Sequence, residues 1–599
     1  MGIDLGTTNC ALAYAQTPTD PREEPQVQLM PIRQLIHPGE AGEESVLPSF
    51  LFLPGATDFP PGSLALPWDP QPSCVVGRLA QKRGMENAAR LVSSAKSWLC
   101  HPGVDRESEI LPPQAPEGVA KVSPIEASRQ YLEHLRRAWD FQMPEAEFSR
   151  QQALVTVPAS FDAVARELTQ RAAQQAGYRD LILLEEPQAA FYAWIERHPD
   201  WRERVRPGDL ILVIDVGGGT TDFSLMAVAE QEGELKLERL AVGEHILLGG
   251  DNMDLALARS TEQQLADSGT RLDAVQLHSL WQHCRTAKEK LLEEGSKAKE
   301  HPLTVLGRGT GLVGGTIRAK LRRPDLERIL LDGFFPRVSS QEMPQRPRRI
   351  GLQEMGLPYA ADAAVTRHLA RFLRQPIEGE LAAARRGASG LACPTQVLFN
   401  GGVLEARALR ERLLEVLNGW MSQEKMPEAT ALASPDLMHA VARGAAYYGL
   451  ARRGRGVRIR GGVARTYYVG IETAMPAVPG LPAPLKALVA APFGMEEGSQ
   501  LRIPDHEFAL VVGEPAEFRF FSSSSRKNDP PGALLELAEA GELEELAPIQ
   551  VCLPADGGPD ERVPVSLETA VTEVGLLQVW CVARDGRRWK LEFNVRGQR

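Results

Sequence analysis

The sequence predicts an α/β protein organised around a duplicated strand–turn–strand device, followed by a smaller β-rich region. Three observations predict this. Asp4-Leu-Gly-Thr-Thr8 and Asp215-Val-Gly-Gly-Gly-Thr-Thr-Asp222 repeat one pattern, an acid at a strand end followed by small residues in a turn. A third strand-like run, Gln396–Phe399, leads into Gly401-Gly402. Beyond Tyr467 the pattern turns to short alternating strands up to the C-terminus.

The elements follow in order. The first 20 residues read as strand, Gly-Thr-Thr turn and strand, and residues 17–75 as loops and short strands rich in Pro, Gly and Glu. Apolar residues at helical spacing predict helices over 85–100 and 124–142. Gln152–Val157 is a β-rich run ended by Pro158. Arg166–Ala176 reads as a helix because Gly177 stands where a helix-ending glycine belongs. Leu181–Leu184 is a short strand, Glu186–Arg197 a helix, and Leu210–Asp215 a buried strand that turns at Gly217–Gly219 into Thr221–Val228. Residues 251–300 and 357–386 read as helical, and 336–350 as a loop insertion. Two helices follow Gly402, up to about Arg452. A basic, Gly-rich linker is expected over 453–466, and Leu534–Leu546 reads as an acidic amphipathic insert, its acids on a solvated helix face.

With 599 residues the chain is too long for one core, so several domains are expected. A net charge of −11 argues against nucleic acid or an anionic membrane as partner. Seven cysteines, none in CxxC spacing, argue against a disulfide framework or zinc site and for reduced, buried thiols. No apolar run reaches transmembrane length and the N-terminus lacks the order of a signal peptide, so a cytoplasmic protein is expected. The run-in to the first strand is short, which points to a start slightly upstream. His245, His283 and His439 lack metal spacing, and Tyr447 and Tyr448 read as core.

The repeated turns suit a triphosphate. Glycine lets backbone N–H groups approach phosphate oxygens, and threonine hydroxyls add donors. Acids at the strand ends can hold magnesium through its retained waters. One such turn reads equally as a plain Gly-rich hairpin. Two at domain-scale spacing, with a third Gly-Gly turn, are far more specific.

These motifs resemble the actin, sugar kinase and heat-shock chaperone superfamily, and within it the DnaK (seventy-kilodalton heat-shock) family over roughly residues 2–452. Ile3-Asp-Leu-Gly-Thr-Thr-Asn9 resembles the family's first phosphate loop and Asp215–Asp222 its second. Val157–Phe161 and Glu186-Pro187 resemble the segments joining the lobes, Gly249-Gly250-Asp251 the turn of the second lobe, and Phe399-Asn-Gly-Gly402 the Gly-Gly near adenosine. The resemblance implies a two-lobed actin-like, duplicated ribonuclease H-like ATPase domain over 1–452, and a diverged substrate-binding domain over 467–599. It implies ATP/ADP and Mg²⁺ as cofactors, with Gly6, Thr7, Thr8, Asn9, Gly217, Gly218, Gly219 and Thr220 around the phosphates. Gly249, Gly250, Asp251, Lys288, Gly401 and Gly402 would complete the nucleotide site. Lys96, Glu186, Asp215 and Asp222 would be catalytic, and Asp4 and Asp215 would hold the metal. Taken by itself Lys96 reads as a surface lysine, and Glu186 as a helix-start acid before Pro187 at N1. Pro158 and Arg166 match the family's relay between nucleotide and substrate domains, against a strand-ending proline and a solvated helix arginine.

Departures shape the functional expectation. In Arg285–Leu292, Lys288 is the clear survivor of the adenosine helix, and Val403-Leu-Glu405 replaces a segment whose arginine stacks on adenine. Ile182 stands where the family's arginine receives J-domain co-chaperones, and the basic linker replaces an apolar one, which puts standard J-domain stimulation in doubt. The family's helical lid has no counterpart before Arg599. The expected function is a slow, ATP-hydrolysing chaperone-like protein whose β domain holds a client polypeptide, with a nucleotide-exchange factor as a further partner. The alternatives are a nucleotide-regulated assembly or scaffold protein with one dedicated partner, and a small-molecule kinase of the superfamily.

Overall fold

The computed structural model describes the chain except residues 17–24, 102, 114, 116, 232–233, 307–315, 347–355, 377–384, 456–462, 464, 475–483, 497, 504–505, 524–525, 527, 538–542, 547, 555–560, 573–575 and 595–599. Two compact units emerge, one of residues 1–230 and 239–458, the other of 231–238 and 459–599.

The first unit is mixed α/β and contains the same sheet twice. In one sheet Gly2–Leu5 pairs antiparallel with Asn9–Ala15, placing Asp4 opposite Ala11. On its other side it pairs parallel with Gln152–Val157, placing Asp4 beside Thr156, and that strand pairs parallel with Asp180–Glu185. In the second sheet Leu210–Val216 pairs antiparallel with Thr221–Gln231, with Asp215 opposite Asp222. It pairs parallel with Gln396–Asn400, with Asp215 beside Asn400, and Thr430–Leu432 follows in parallel. Val27–Leu29 and Glu234–Val242 flank the two antiparallel sides. The central strands are continuous apolar runs because helices cover them.

Each sheet has its own core. Ile3, Leu12, Val155, Trp98, Tyr131 and Trp139 belong to the first. Leu212, Ile214, Phe223, Leu257, Phe372 and Trp420 belong to the second. The helix Ala163–Gln175 stops as expected at Gly177, whose φ of 96° a side chain would resist. Glu186–Arg197 is a helix with Pro187 in its first turn.

Several expected elements are corrected. Residues 85–100 are not one helix: Arg78–Glu86 is a helix, Leu91–Val92 a short strand, and Ala95–Leu99 a five-residue helix. Ser94 breaks the run with a left-handed φ of 55°. Of 357–386, only Val365–Leu373 is helical among the described residues. Residues 251–300 hold two helices, Gly250–Asp267 and Ala274–Leu292, the second opened by an Asp273/Gln276 capping box. Cys552 is exposed rather than buried. Most of the expected linker, 456–462 and 464, lies outside the described residues.

Among its described residues from Val463 to Asn594 the second unit is built of strands and turns, apart from a 3-10 residue at Leu537. One sheet orders Leu534–Glu536, Leu485–Ala491, Thr466–Glu472, Phe520–Ser523 and Glu544–Glu545. Another is built on Glu561–Val571, Leu576–Ala583 and Arg588–Asn594. Tyr467, Leu488, Phe520, Val565 and Trp589 share its core. The acidic run is therefore not a helix face where it is described. Glu536 and Glu545 lie on strands and pair with Lys486 and Arg519, while Leu535 packs inward, as a pleated strand allows.

Candidate functional site

The two Gly-Thr turns meet. A Cβ on Gly218 would fall on the Thr8 hydroxyl, and one on Gly219 would stand 2.8 Å from Thr7 Cγ2. Only glycine lets the second turn approach the first this closely. Gly249 packs against the second turn, where a Cβ would lie 2.6 Å from the Gly217 carbonyl oxygen. The Gly250 and Asp251 amides donate to the carbonyls of Gly217 and Gly218. Gly401, with φ 87°, completes the ring, for a Cβ there would lie 2.6 Å from Asp215 Oδ1.

These turns frame a cavity of 710 Å³, the size of a nucleotide-class ligand site. Its walls bring together Asp4, Gly6, Thr7, Thr8, Asn9, Lys96, Glu186, Asp215, Gly217, Gly218, Thr220, Gly250, Asp251, Lys288, Gly401 and Gly402. Three expected site residues do not line it. Gly219 and Gly249 shape the turns from behind. Asp222 faces away: it accepts a hydrogen bond of 2.5 Å from Ser160 and lies 3.1 Å from His245 Nδ1. Burial raises Asp222, but the His245 charge prevails and holds it below its ordinary value. Burial lowers His245, and Asp222 in turn holds it well above the usual imidazole range. Asp222 is thus committed to an ion pair at the back of the second turn.

The floor of the cavity is a cluster of charges. Lys96 sits one residue into its short helix and forms an ion pair with Glu186 at the start of Glu186–Arg197. Burial pulls Lys96 down, yet the Glu186 and Asp4 carboxylates keep it above its ordinary value, so it is a cation at all working pH. Burial pushes Asp4 up to about 7, helped by Glu186. Burial and then Glu186 push Asp215 up to about 8, although Asn400 Nδ2 donates to it at 2.6 Å. Three carboxyls share one ammonium here. A hard dication with oxygen ligands relieves that imbalance, and Asp4 and Asp215 are the acids best placed to face it. Among the described residues no three His, Cys, Asp or Glu side chains form a direct metal cage.

The residues also fit a polar ligand. Thr8 Oγ1, Asn400 Oδ1 and Arg285 Nη1 are buried without a hydrogen-bond partner, and all three side chains line this cavity. Buried polar atoms left in this way cost stability that a ligand recovers.

Sequence reasoning missed part of the wall. Asp254, buried inside Gly250–Asp267, accepts from Arg285 Nε at 3.0 Å and pairs with Lys288 at 2.7 Å. Asp251 pairs with Arg285, so Arg285 belongs to the site alongside Lys288. The spacing of Asp251 and Asp254, and of Arg285 and Lys288, is i,i+3 on facing helices, a signal readable only once the two helices are known to pack. Arg166 is buried, not solvated: it pairs with Glu185 at 3.1 Å and donates to the Ala159 carbonyl at 3.0 Å, and Glu185 also pairs with Arg239.

A duplicated sheet whose matching turns enclose one cavity, with acids suited to a hard cation and hydroxyls suited to an anion, places the first unit in a two-sheet α/β class. Comparison with known proteins shows what the chain is similar to. A family model described as Hsp70 protein matches residues 71–341. The chain is 36% identical over 154 residues to a Chaperone protein HscA homolog of Acinetobacter baylyi, covering 25% of this chain and 23% of that one. It is 29% identical over 311 residues to the Chaperone protein HscA homolog of Azotobacter vinelandii, 50% of this chain and 43% of the relative. For that of Polynucleobacter asymbioticus the match is 30% over 327 residues, 54% and 45%. The chain is thus similar to Hsp70-family chaperones over about half of its length. Its matches span less than half the length of these relatives. The family implies the two-lobed actin-like ATPase fold, in keeping with the duplicated sheets of the first unit.

Proposed function

We propose that the chain is an ATP-binding, slowly ATP-hydrolysing chaperone-like protein, in which nucleotide state in residues 1–452 governs a β-rich polypeptide-holding domain over 467–599. The observation that carries this reading is the single cavity joining both Gly-Thr turns to the Lys96–Glu186 pair. The similarity to the Hsp70 family model and the name chaperone on its relatives support it.

Thr7, Thr8, Thr220 and the turn amides would hold the phosphates, and Asp4 and Asp215 the magnesium. That cation supplies charge neutralisation along the phosphates when bound. Asp4 and Asp215, as carboxylates, would hold it and orient water. Lys96 presents a fixed positive charge where charge develops on the transferred phosphoryl group. Glu186 aims Lys96 and offers an acceptor for the proton of an attacking water. Burial of Lys96 and Glu186 keeps bulk water from diluting this charge. Gly401, Gly402, Gly250 and Lys288 belong to the nucleoside end. Among the described residues no helix is long and apolar enough to cross a membrane, and a cytoplasmic setting is part of the proposal.

The test is ATP turnover with and without an unfolded polypeptide, identifying where the phosphate goes. The reading predicts release of inorganic phosphate, faster with polypeptide. Transfer to a sugar or glycerol would instead mark the small-molecule kinase. Turnover indifferent to polypeptide, with one protein co-purifying in stoichiometric amount, would mark the dedicated assembly partner.

A further inference from the structure

Resting on the nucleotide reading above, we propose that the base of the bound nucleotide is held by an apolar platform centred on Met438, and that Glu405 is the residue that positions it. The cavity has two chemically distinct ends. One has the hydroxyls of Thr7 and Thr8, the turn amides and Lys96, everything a polyphosphate requires. The other is walled by Leu292, Val403, Ala406, Leu409, Leu437 and Met438. An apolar wall of this extent suits a flat heterocycle, which has little charge and much π surface.

Two of the cations near this wall, Arg285 and Lys288, already pair with carboxylates, while Lys290 also lines the cavity. Arg285 is held by Asp251 and Asp254, and Lys288 by Asp254 and, at 3.3 Å, the Gly250 carbonyl. Glu405, which faces the same cavity, is itself committed. Its Oε1 accepts the backbone N–H of Leu437 at 2.7 Å and of Met438 at 3.1 Å. One carboxylate oxygen thus ties the loop before Ala440–Arg452 to the short turn Gly402–Glu405.

The consequence is the placement of Met438. Its side chain reaches across the mouth of the cavity between two turns. Sδ lies 4.0 Å from Asn9 Nδ2, and Cε lies 3.3 Å from where a Cβ of Gly402 would stand. Met438 is nevertheless 36% exposed, one of few large apolar side chains left open to solvent among the described residues. A thioether is polarisable, conforms to an aromatic face and makes favourable sulfur–aromatic contacts. An apolar residue left exposed in a charged cleft is explained by a ligand ring that covers it. Such a platform grips the face of a ring without reading its hydrogen-bonding edge, so it separates adenine from guanine poorly.

The test titrates the full chain, with magnesium, against ATP, GTP and inorganic tripolyphosphate. Wild type is expected to bind ATP and GTP within about threefold of each other, and both more tightly than tripolyphosphate. Met438→Ala should weaken both nucleotides about tenfold and leave tripolyphosphate unchanged. Glu405→Ala should reproduce that split because the loop is released, whereas Glu405→Gln, which keeps an acceptor oxygen, should restore most of the loss. Thermal melting checks that each variant is folded, and Met438, being at the surface, should melt as wild type. The proposal is overturned if Met438→Ala leaves nucleotide affinity intact, if it weakens tripolyphosphate equally, or if wild type prefers ATP over GTP a hundredfold. Wild type that binds ATP and GTP no more tightly than tripolyphosphate overturns the platform and leaves the phosphate site standing. Wild type that binds none of the three overturns both.

Discussion

Asp4 and Asp215 show how a functional site is held at a cost to the empty protein. Both carboxyls sit above the 3.8 they have when unfolded, at about 7 and about 8. A raised carboxyl lends stability below its unfolded pKa and loses it as pH rises through the folded one. In metal-free buffer, stability should therefore fall between roughly pH 4 and pH 8. Asp215→Asn should be more stable than wild type at pH 8, by on the order of 1–2 kcal/mol, with the difference vanishing near pH 4. Chemical denaturation at the two pH values checks this, and equal stabilities at pH 8 would contradict it. Gly218 makes a steric prediction. Gly218→Ala puts a methyl on the Thr8 hydroxyl, which must swing away, and nucleotide affinity should fall about tenfold or more by calorimetry. Residues of this kind were legible because both turns carry their chemistry in contiguous letters. Asp254, Arg285 and Met438 were not, since each takes its meaning from a partner on another element, and Asp222 misled because its strand-end position does not say which way its carboxylate turns.

At the scale of elements, the helix Ala440–Arg452 is what docks the site's acid-bearing helix. Its Gly444 lies against the Ala189 carbonyl of Glu186–Arg197, and Gly2 of the first strand lies against its Ala442 carbonyl. No side chain fits at either crossing. Gly444→Ala should push the Glu186 helix outward, costing about 1–3 kcal/mol in a melt and slowing turnover at the same time. A variant with full stability and full turnover would show that this crossing does not set Glu186. The sequence pattern placed the strands and the helices flanking the turns well, because strand hydrophobicity and Gly177 or Pro187 signals are local. It overextended the helix at 85–100, where Ser94 adopts a left-handed conformation that serine only occasionally takes. It also read alternating Leu and Glu near 534 as a helix face, since a short acidic run fits both periods and only the neighbouring strand decides.

For the whole molecule, the duplicated sheets of the first unit and the all-strand second unit set the terms of the chaperone-like reading. If nucleotide state reaches the second unit, ATP should change the rate at which a protease cuts within 453–466, compared with ADP, and a Lys96 variant should retain the ATP-bound rate without relaxing. Identical cleavage in all states would sever the ATPase from the β-rich unit and favour a scaffold. The fold class was visible in sequence because duplication writes the same motif twice. Any ligand of the second unit was not, because recognition through backbone edges and pocket shapes is not written in motif letters.

The central claim is that the Lys96–Glu186 floor beneath the paired turns hydrolyses ATP. Its most direct test is magnesium-dependent ATP turnover of wild type beside Lys96→Ala, with nucleotide affinity measured on both. Slow turnover by wild type, and a variant that binds ATP within a fewfold of wild type yet turns over at least about a hundredfold more slowly, is the predicted result. Equal turnover by the two proteins, or no nucleotide binding by either, would contradict it.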